Sequence, residues 1–211
     1  MDIQVWADFE CPYCMIGKKR LVKALKELGI TDAQVSVRSY LLTPEPMGPE
    51  GISMRERAAN KFGSGSDKLE KVERNFKLLE EEGRGLGLIM HIGEARTASA
   101  WNAHRLFQFA KTLGLGSRFF DRVQEALFTE SLLISDDVVL LRLAEDAGLP
   151  ISKAQEVLLD GSRFRNAVQA DHDLGHSMNI DYIPYYLADG KYLYSGDLTM
   201  QAYLDGLKAV I

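Results

Sequence analysis

Ile3-Gln4-Val5-Trp6-Ala7-Asp8-Phe9-Glu10-Cys11-Pro12-Tyr13-Cys14 holds both cysteines of the 211-residue chain, and its reading decides the fold. The alternation of apolar residues places Ile3, Val5, Ala7 and Phe9 on one face of a strand, with Trp6 projecting from the other. Met15 to Leu28 then carries a helical pattern. Pro12 suits the first turn of that helix, where its missing N–H needs no partner. The unpaired amides and positive dipole end of the helix favour an anion beside them, and a Cys11 thiolate would be that anion. Cys14 lies one turn further on and is expected to be shielded. The stretch therefore predicts Cys11 as the attacking thiol and Cys14 as the resolving thiol.

A Cys-x-x-Cys pair has three readings: half of a zinc site, a structural disulfide, or a redox pair. Structural zinc wants four nitrogen or sulfur ligands. No second pair exists, and the remaining ligand types are His91, His104, His172 and His176, of which His172 and His176 share a helical face but lie far off in sequence. A disulfide closing so short a loop constrains the unfolded chain little, and a chain of this length can bury a core without one. The redox reading carries the most weight, because a strand runs in, a helix runs out and a proline separates the thiols. No metal is expected. Asp8 and Glu10 flank the motif. They read as exposed strand-end carboxylates, with a proton acceptor for Cys14 as the functional alternative.

Hydrophobic residues make up 46% and charged residues 26%, with a net charge of −5. With no long basic run, neither nucleic acid nor an anionic membrane is expected as partner. No apolar run approaches the roughly 18 residues of a membrane span. Met1 to Gln4 shows no basic region followed by an apolar one, so no signal peptide and a cytoplasmic location are expected. There a disulfide is usually transient and catalytic.

Beyond the first helix, Gly29 is a C-terminal cap and Gln34 to Tyr40 a second strand, joined to the first by a right-handed crossover between parallel strands. Thr43 to Gly51 holds three of the six prolines and reads as a boundary loop. Ile52 to Arg165 is mostly helical. Asp67 is a candidate N-cap, Gly83 to Gly87 a helix terminator, Ala95 to Leu113 and Arg118 to Phe128 helices, and Ser135-Asp136-Asp137 and Ser152 further helix starts. Arg163 to Met178 is helical again. Ile183 to Leu187 and Tyr192 to Tyr194 are strands around an Asp189-Gly190 hairpin turn, and Thr199 caps a last helix. His104 reads as a partly buried, hydrogen-bonded residue, and His172 and His176 as a solvated helix face. The element order predicts an α/β thioredoxin-like fold with a large all-helical insertion. Residues 1–43 and 164–211 form the thioredoxin-like domain and 44–163 the insertion.

With both ends read, the chain resembles the DsbA-like oxidoreductases, within them the FrnE-type branch, over nearly its whole length. Phe9 to Lys18 is similar to that branch's active-site block, Asn102-Ala103-His104-Arg105-Leu106 to its insert-helix signature, and Ile183-Pro184-Tyr185 to its proline block. The resemblance implies that Pro184 is cis and packs against the cysteine pair. It also implies that the backbone of Ile183 pairs with an extended substrate, and that Pro12 and Tyr13 shape the site. Asp181-Tyr182 replaces smaller residues common in relatives, giving a bulkier rim, and Asp197-Leu198 also departs from the pattern. The related chromene-carboxylate isomerases and kappa-class glutathione transferases usually carry Ser for the first Cys, so keeping both cysteines favours thiol–disulfide exchange. The implied partner is a thiol- or disulfide-containing protein or peptide, or glutathione as co-substrate, with no tightly bound cofactor. A glutathione-dependent transferase or isomerase is the alternative. The oligomeric state, a dimer included, is left open.

Overall fold

The computed structural model describes residues 1–43, 50–63, 65–196 and 198–211. Its opening stretch forms strand β1 (Asp2–Ala7) and helix α1 (Pro12–Glu27), with Cys11 as the helix N-cap. Past α1, Gly29 takes a φ of +69° and donates its N–H to the Lys26 carbonyl, a left-handed step that glycine adopts at no steric cost. Strand β2 (Gln34–Ser39) then pairs parallel to β1, with Val5 opposite Val37.

Four helices and a short ladder follow β2 first. They are β3 (Ile52–Ser53), α2 (Met54–Phe62), α3 (Ser66–Gly85), β4 (Arg96–Thr97), α4 (Trp101–Thr112) and α5 (Gly116–Phe128). Next come α6 (Asp137–Asp146), α7 (Ile151–Leu159) and α8 (Arg165–Ser177), the last lying against β2. Strands β5 (Tyr185–Ala188) and β6 (Lys191–Ser195) and helix α9 (Met200–Lys208) complete the chain. The sheet order is β2-β1-β5-β6, with β5 antiparallel to β1 and β6 antiparallel to β5. Asp189 and Gly190 both have positive φ, which makes the tight hairpin turn read from the sequence. The Thr199 hydroxyl accepts from the Ala202 N–H, capping α9 as expected.

Among the described residues, the regular structure of the insertion is helical apart from β3 pairing with β4. That ladder also shortens a helix. The apolar spacing from Ala95 to Leu113 suggests one element, yet Arg96 and Thr97 are extended and α4 begins only at Trp101. Long-range hydrogen bonds made by Thr97 and Ala98, described below, override local propensity there. Two caps also differ. Gly65, not Asp67, precedes α3, and Asp67 lies inside its first turn. Pro150, not Ser152, precedes α7. Of the boundary loop, residues 44–49 lie outside the described residues, as does Asp197.

β1 is buried on both faces from Val5 onward. Tyr186, the cross-strand partner of Val5, meets Tyr203 of α9. On the opposite face the Trp6 indole N–H donates to the Asp171 carbonyl of α8 at 3.0 Å. Beyond the strand, Phe9 stacks on Phe120 with centroids 4.4 Å apart and meets Phe107 edge-on. The end of β1 thus runs into the core of the insertion, and one continuous hydrophobic cluster spans both. Cys11 stands where they join. Among the described residues no helix is long and apolar enough to cross a membrane.

Candidate active site

Cys11 caps α1 in an extended conformation, and its Sγ accepts the Cys14 N–H at 3.3 Å. This is the sulfur analogue of a Ser or Asp N-cap: it occupies one amide the helix leaves unpaired and sits at the positive dipole end. Both cysteines are free thiols. Each is almost fully covered, at 3% and 2% exposure, so shielding alone does not separate them. Access does, because Cys11 lines a cavity and Cys14 is not among that cavity's lining residues. Burial pushes the Cys14 thiol well above its ordinary pKa, with the Cys11 side chain adding to the effect.

Ile183 and Pro184 reach the pair from the other end of the chain. The Ile183–Pro184 bond is cis. The Cys11 thiol donates to the Ile183 carbonyl at 3.7 Å. Gly17 makes this approach feasible: a Cβ there would come within 2.6 Å of the Tyr203 hydroxyl, 2.7 Å of the Tyr186 hydroxyl and 2.9 Å of Pro184 Cγ. Pro12 is buried in the first turn, and the Tyr13 hydroxyl accepts from Asn75 Nδ2 of α3 at 2.9 Å. The structure therefore brings together all six residues singled out from the sequence: Cys11, Pro12, Tyr13, Cys14, Ile183 and Pro184.

It also places there two carboxylates that the sequence suggested would be exposed. Asp8 and Glu10 are 0% and 1% exposed. Asp8 accepts from the amides of Glu10 at 3.1 Å and Leu42 at 2.6 Å, and lies 3.4 Å from His104 Nε2. Burial pushes its carboxyl up, but His104 and the amides outweigh that and hold it below its ordinary range. Glu10 accepts from the Thr97 hydroxyl, the Ala98 N–H at 3.0 Å and Arg57 Nη1 at 3.1 Å. Burial and the nearby Asp8 charge raise it to about 7, against the opposing pull of Arg57. Gln124 of α5 donates to the Asp8 and Cys11 carbonyls. These partners come from α2, β4, α4 and α5, so residues distant in sequence hold the loop that carries Cys11. One signal in the sequence pointed this way. Val5-Trp6-Ala7 is an unbroken apolar run, as in a strand covered on both faces, so carboxylates just beyond it enter a core.

Two histidines are more deeply buried than expected, while His104 is hydrogen-bonded and His176 exposed as the sequence suggests. His104 is fully buried, with Nδ1 unpartnered among the described residues. His172 is buried, not part of a solvated face. Its Nδ1 accepts the Leu41 N–H at 3.1 Å, and its Nε2 faces Nε2 of the exposed His176 at 3.0 Å. The consecutive amides of Leu41 and Leu42, just past β2, thus find His172 and Asp8 as acceptors, and for the buried Leu41 a backbone donor leaving the sheet needs such a partner. Burial and the neighbouring His176 push His172 below its ordinary pKa. No cluster of three or more metal-ligating side chains occurs among the described residues.

The cavity at Cys11 measures about 300 Å³, at the small end for a small-molecule site. The segment before Pro184 and helices α2 and α3 wall it, and Tyr182, 73% exposed, stands on its rim.

Residues 2–208 match the DSBA-like thioredoxin domain family. The uncharacterized protein YwbO of Bacillus subtilis is 27% identical over 174 residues, 80% of this chain and 72% of the relative. A crystal structure of a probable DsbA oxidoreductase from Streptomyces coelicolor superposes with a TM-score of 0.91 at 25% identity, covering 99% of this chain and 89% of that one. The cytosolic disulfide reductase DsbM of Pseudomonas aeruginosa shares the fold at a TM-score of 0.61 and 20% identity, over 100% of this chain and 97% of its own, and has also been solved with glutathione.

Proposed function

The chain belongs to the DSBA-like thioredoxin domain family, and we propose that it is a thiol–disulfide oxidoreductase in which Cys11 attacks and Cys14 resolves. The observation that carries this reading is the position of Cys11 Sγ. It sits at the N-cap of α1, between the Cys14 amide and the Ile183 carbonyl, on the wall of a cavity. Cys11 as thiolate attacks one sulfur of a substrate disulfide and expels the other as a thiolate, leaving a mixed disulfide. Cys14 then loses its proton and attacks Cys11 Sγ, which releases the second substrate thiol and leaves the Cys11–Cys14 disulfide. The reverse sequence oxidises a substrate dithiol, and the reduction potentials of the two couples set the direction. The cavity suits a cysteine side chain with its immediate neighbours, or a whole small thiol such as glutathione. On this reading residues 1–43 and 164–211 carry the redox pair and residues 44–163 roof it. The protein resembles the FrnE-type branch and works in the cytoplasm, with Pro12, Tyr13, Ile183 and Pro184 shaping the site.

The small size of the cavity also favours a second reading, a glutathione-dependent transferase or isomerase on the same fold. Insulin-reduction and glutathione-conjugation assays on wild type, Cys11→Ser and Cys14→Ser separate the two. Exchange requires Cys11→Ser to lose turnover while keeping its fold, and Cys14→Ser to accumulate mixed disulfide. Undiminished insulin reduction by Cys11→Ser would end the proposal, and conjugation that survives Cys14→Ser would establish the second reading.

A further inference from the structure

Among the described residues, Arg57 is the cation that touches both the buried carboxylate cluster and the Cys11 cavity. Its Nη1 donates to Glu10 Oε2 at 3.1 Å and to Thr97 Oγ1 at 3.0 Å. Among the described residues Nε and Nη2 have no hydrogen-bond partner, although the side chain is only 22% exposed and lines the cavity with Cys11. A guanidinium has five N–H donors in a fixed plane. When one nitrogen is anchored by buried groups, the rest are preorganised for a second, bidentate acceptor, and carboxylate matches that fork best.

We propose that Arg57 is a recognition site for a carboxylate carried by the thiol or disulfide that reacts at Cys11, which makes carboxylate-bearing small thiols and cysteine-containing peptide ends the preferred substrates. The inference rests on the exchange reaction proposed above and names its substrate class. The other charged groups lining the cavity fit an oriented, zwitterionic ligand. Lys61, on the same helix as Arg57, adds a second cation, while Asp181, preceding Pro184, supplies a negative charge suited to an amino group. Glu10 neutralises Arg57 only in part, because burial and Asp8 push its carboxyl up to about 7. The guanidinium thus keeps attraction for an incoming anion near neutral pH. A cavity of about 300 Å³ limits the ligand to roughly tripeptide size.

The test uses pre-reduced full-length protein in single turnover with three disulfides of similar length: dithiodipropionate (anionic), hydroxyethyl disulfide (neutral) and cystamine (cationic). Each turnover converts the two enzyme thiols and one probe disulfide into the Cys11–Cys14 disulfide and two probe thiols. Each rate is divided by that of dithiothreitol with the same probe, which removes intrinsic reactivity. The expected wild-type result is a preference for the anionic over the neutral probe of about tenfold or more, one charge-assisted contact's worth, with the cationic probe slowest. Arg57→Met should bring the anionic-to-neutral ratio to near one, Arg57→Lys should restore part of it, and Lys61→Met should leave most of it. The wild-type comparison needs no variant to fold. Equal rates for anionic and neutral probes, a preference that survives Arg57→Met, or a full collapse in Lys61→Met would each overturn the assignment. Cys11-dependent turnover without charge preference sinks this inference alone, whereas no turnover of any probe sinks the exchange reaction and the inference with it.

Discussion

Asp8 and Glu10 flank the same turn and are equally buried, yet they hold their protons in opposite ways. The inner region, around Asp8, meets His104, the Leu42 and Glu10 amides and, through its carbonyl, Gln124. The outer region, around Glu10, meets Arg57, Thr97 and Ala98 beside the cavity. Burial raises both carboxyls, but Asp8 ends below its ordinary value and Glu10 at about 7. The difference teaches that burial does not set ionisation alone. The carboxylate with the better set of donors ionises first, and its charge then makes the second one costly to ionise. An inner anchor that favours its charged form and an outer clasp raised towards neutral pH thus hold one loop, the loop that presents Cys11.

The sharpest way to break the comparison is to remove the inner anchor. Asp8→Ala leaves the buried Glu10 amide, the Leu42 amide and His104 without their acceptor and should cost roughly 3–5 kcal/mol in chemical denaturation. A loss no larger than that of an exposed carboxylate would mean that Asp8 is not an anchor. The pH dependences should then run in opposite directions. Glu10 has a folded pKa raised from 4.5 to about 7. Its contribution to stability is therefore fully present below 4.5 and lost as pH rises through 7. Relative to wild type, Glu10→Gln should gain stability between pH 5 and 8, by a few kcal/mol at about 1.4 per pKa unit. Asp8 is lowered from 3.8, so its contribution is present above 3.8 and lost as pH falls through its folded value. The deficit of Asp8→Asn should accordingly shrink on acidification below 3.8. Parallel pH profiles for the two variants would remove the distinction. The smallest effect is expected at the clasp's hydroxyl. Thr97→Val deletes the donor to Glu10 Oε1, should cost about 1 kcal/mol, and should raise the Glu10 titration further, as followed by carboxyl NMR shifts. An unmoved titration would show that the hydroxyl does not tune Glu10.

The thiol half of the site was legible along the chain, and the carboxylate half was not. Cys11, Pro12 and Cys14 announce themselves because their chemistry is local: a cap, a first-turn proline, and two sulfurs one helical turn apart. Pro184 entered through resemblance, since no local pattern says which end of the chain packs on Cys11. Asp8 and Glu10 read as exposed because charged side chains usually are, and nothing within several residues of them reveals His104, Thr97 or Arg57. The same gap explains why Ala95 to Leu113 suggested one long helix. Spacing reports which face is apolar, but Arg96 and Thr97 are extended, and Thr97 and Ala98 donate to Glu10, far away in sequence. His172 likewise carried a solvated-face pattern until the amide of Leu41 was seen to need it.

The strand, the helix it feeds, the hairpin turn and the Thr199 cap are properties of short segments, set by side-chain alternation, by backbone freedom at glycine and by hydrogen-bonding groups a few residues apart. The amino-acid order alone was enough for them and for the pair of thiols. The tertiary structure alone decided which polar groups are taken out of water together, and hence which carboxyl holds a charge, which arginine is anchored and which sulfur meets the cavity. The cost of burying an ionised group depends on every donor within a few ångströms, and those donors are brought there by the folded chain.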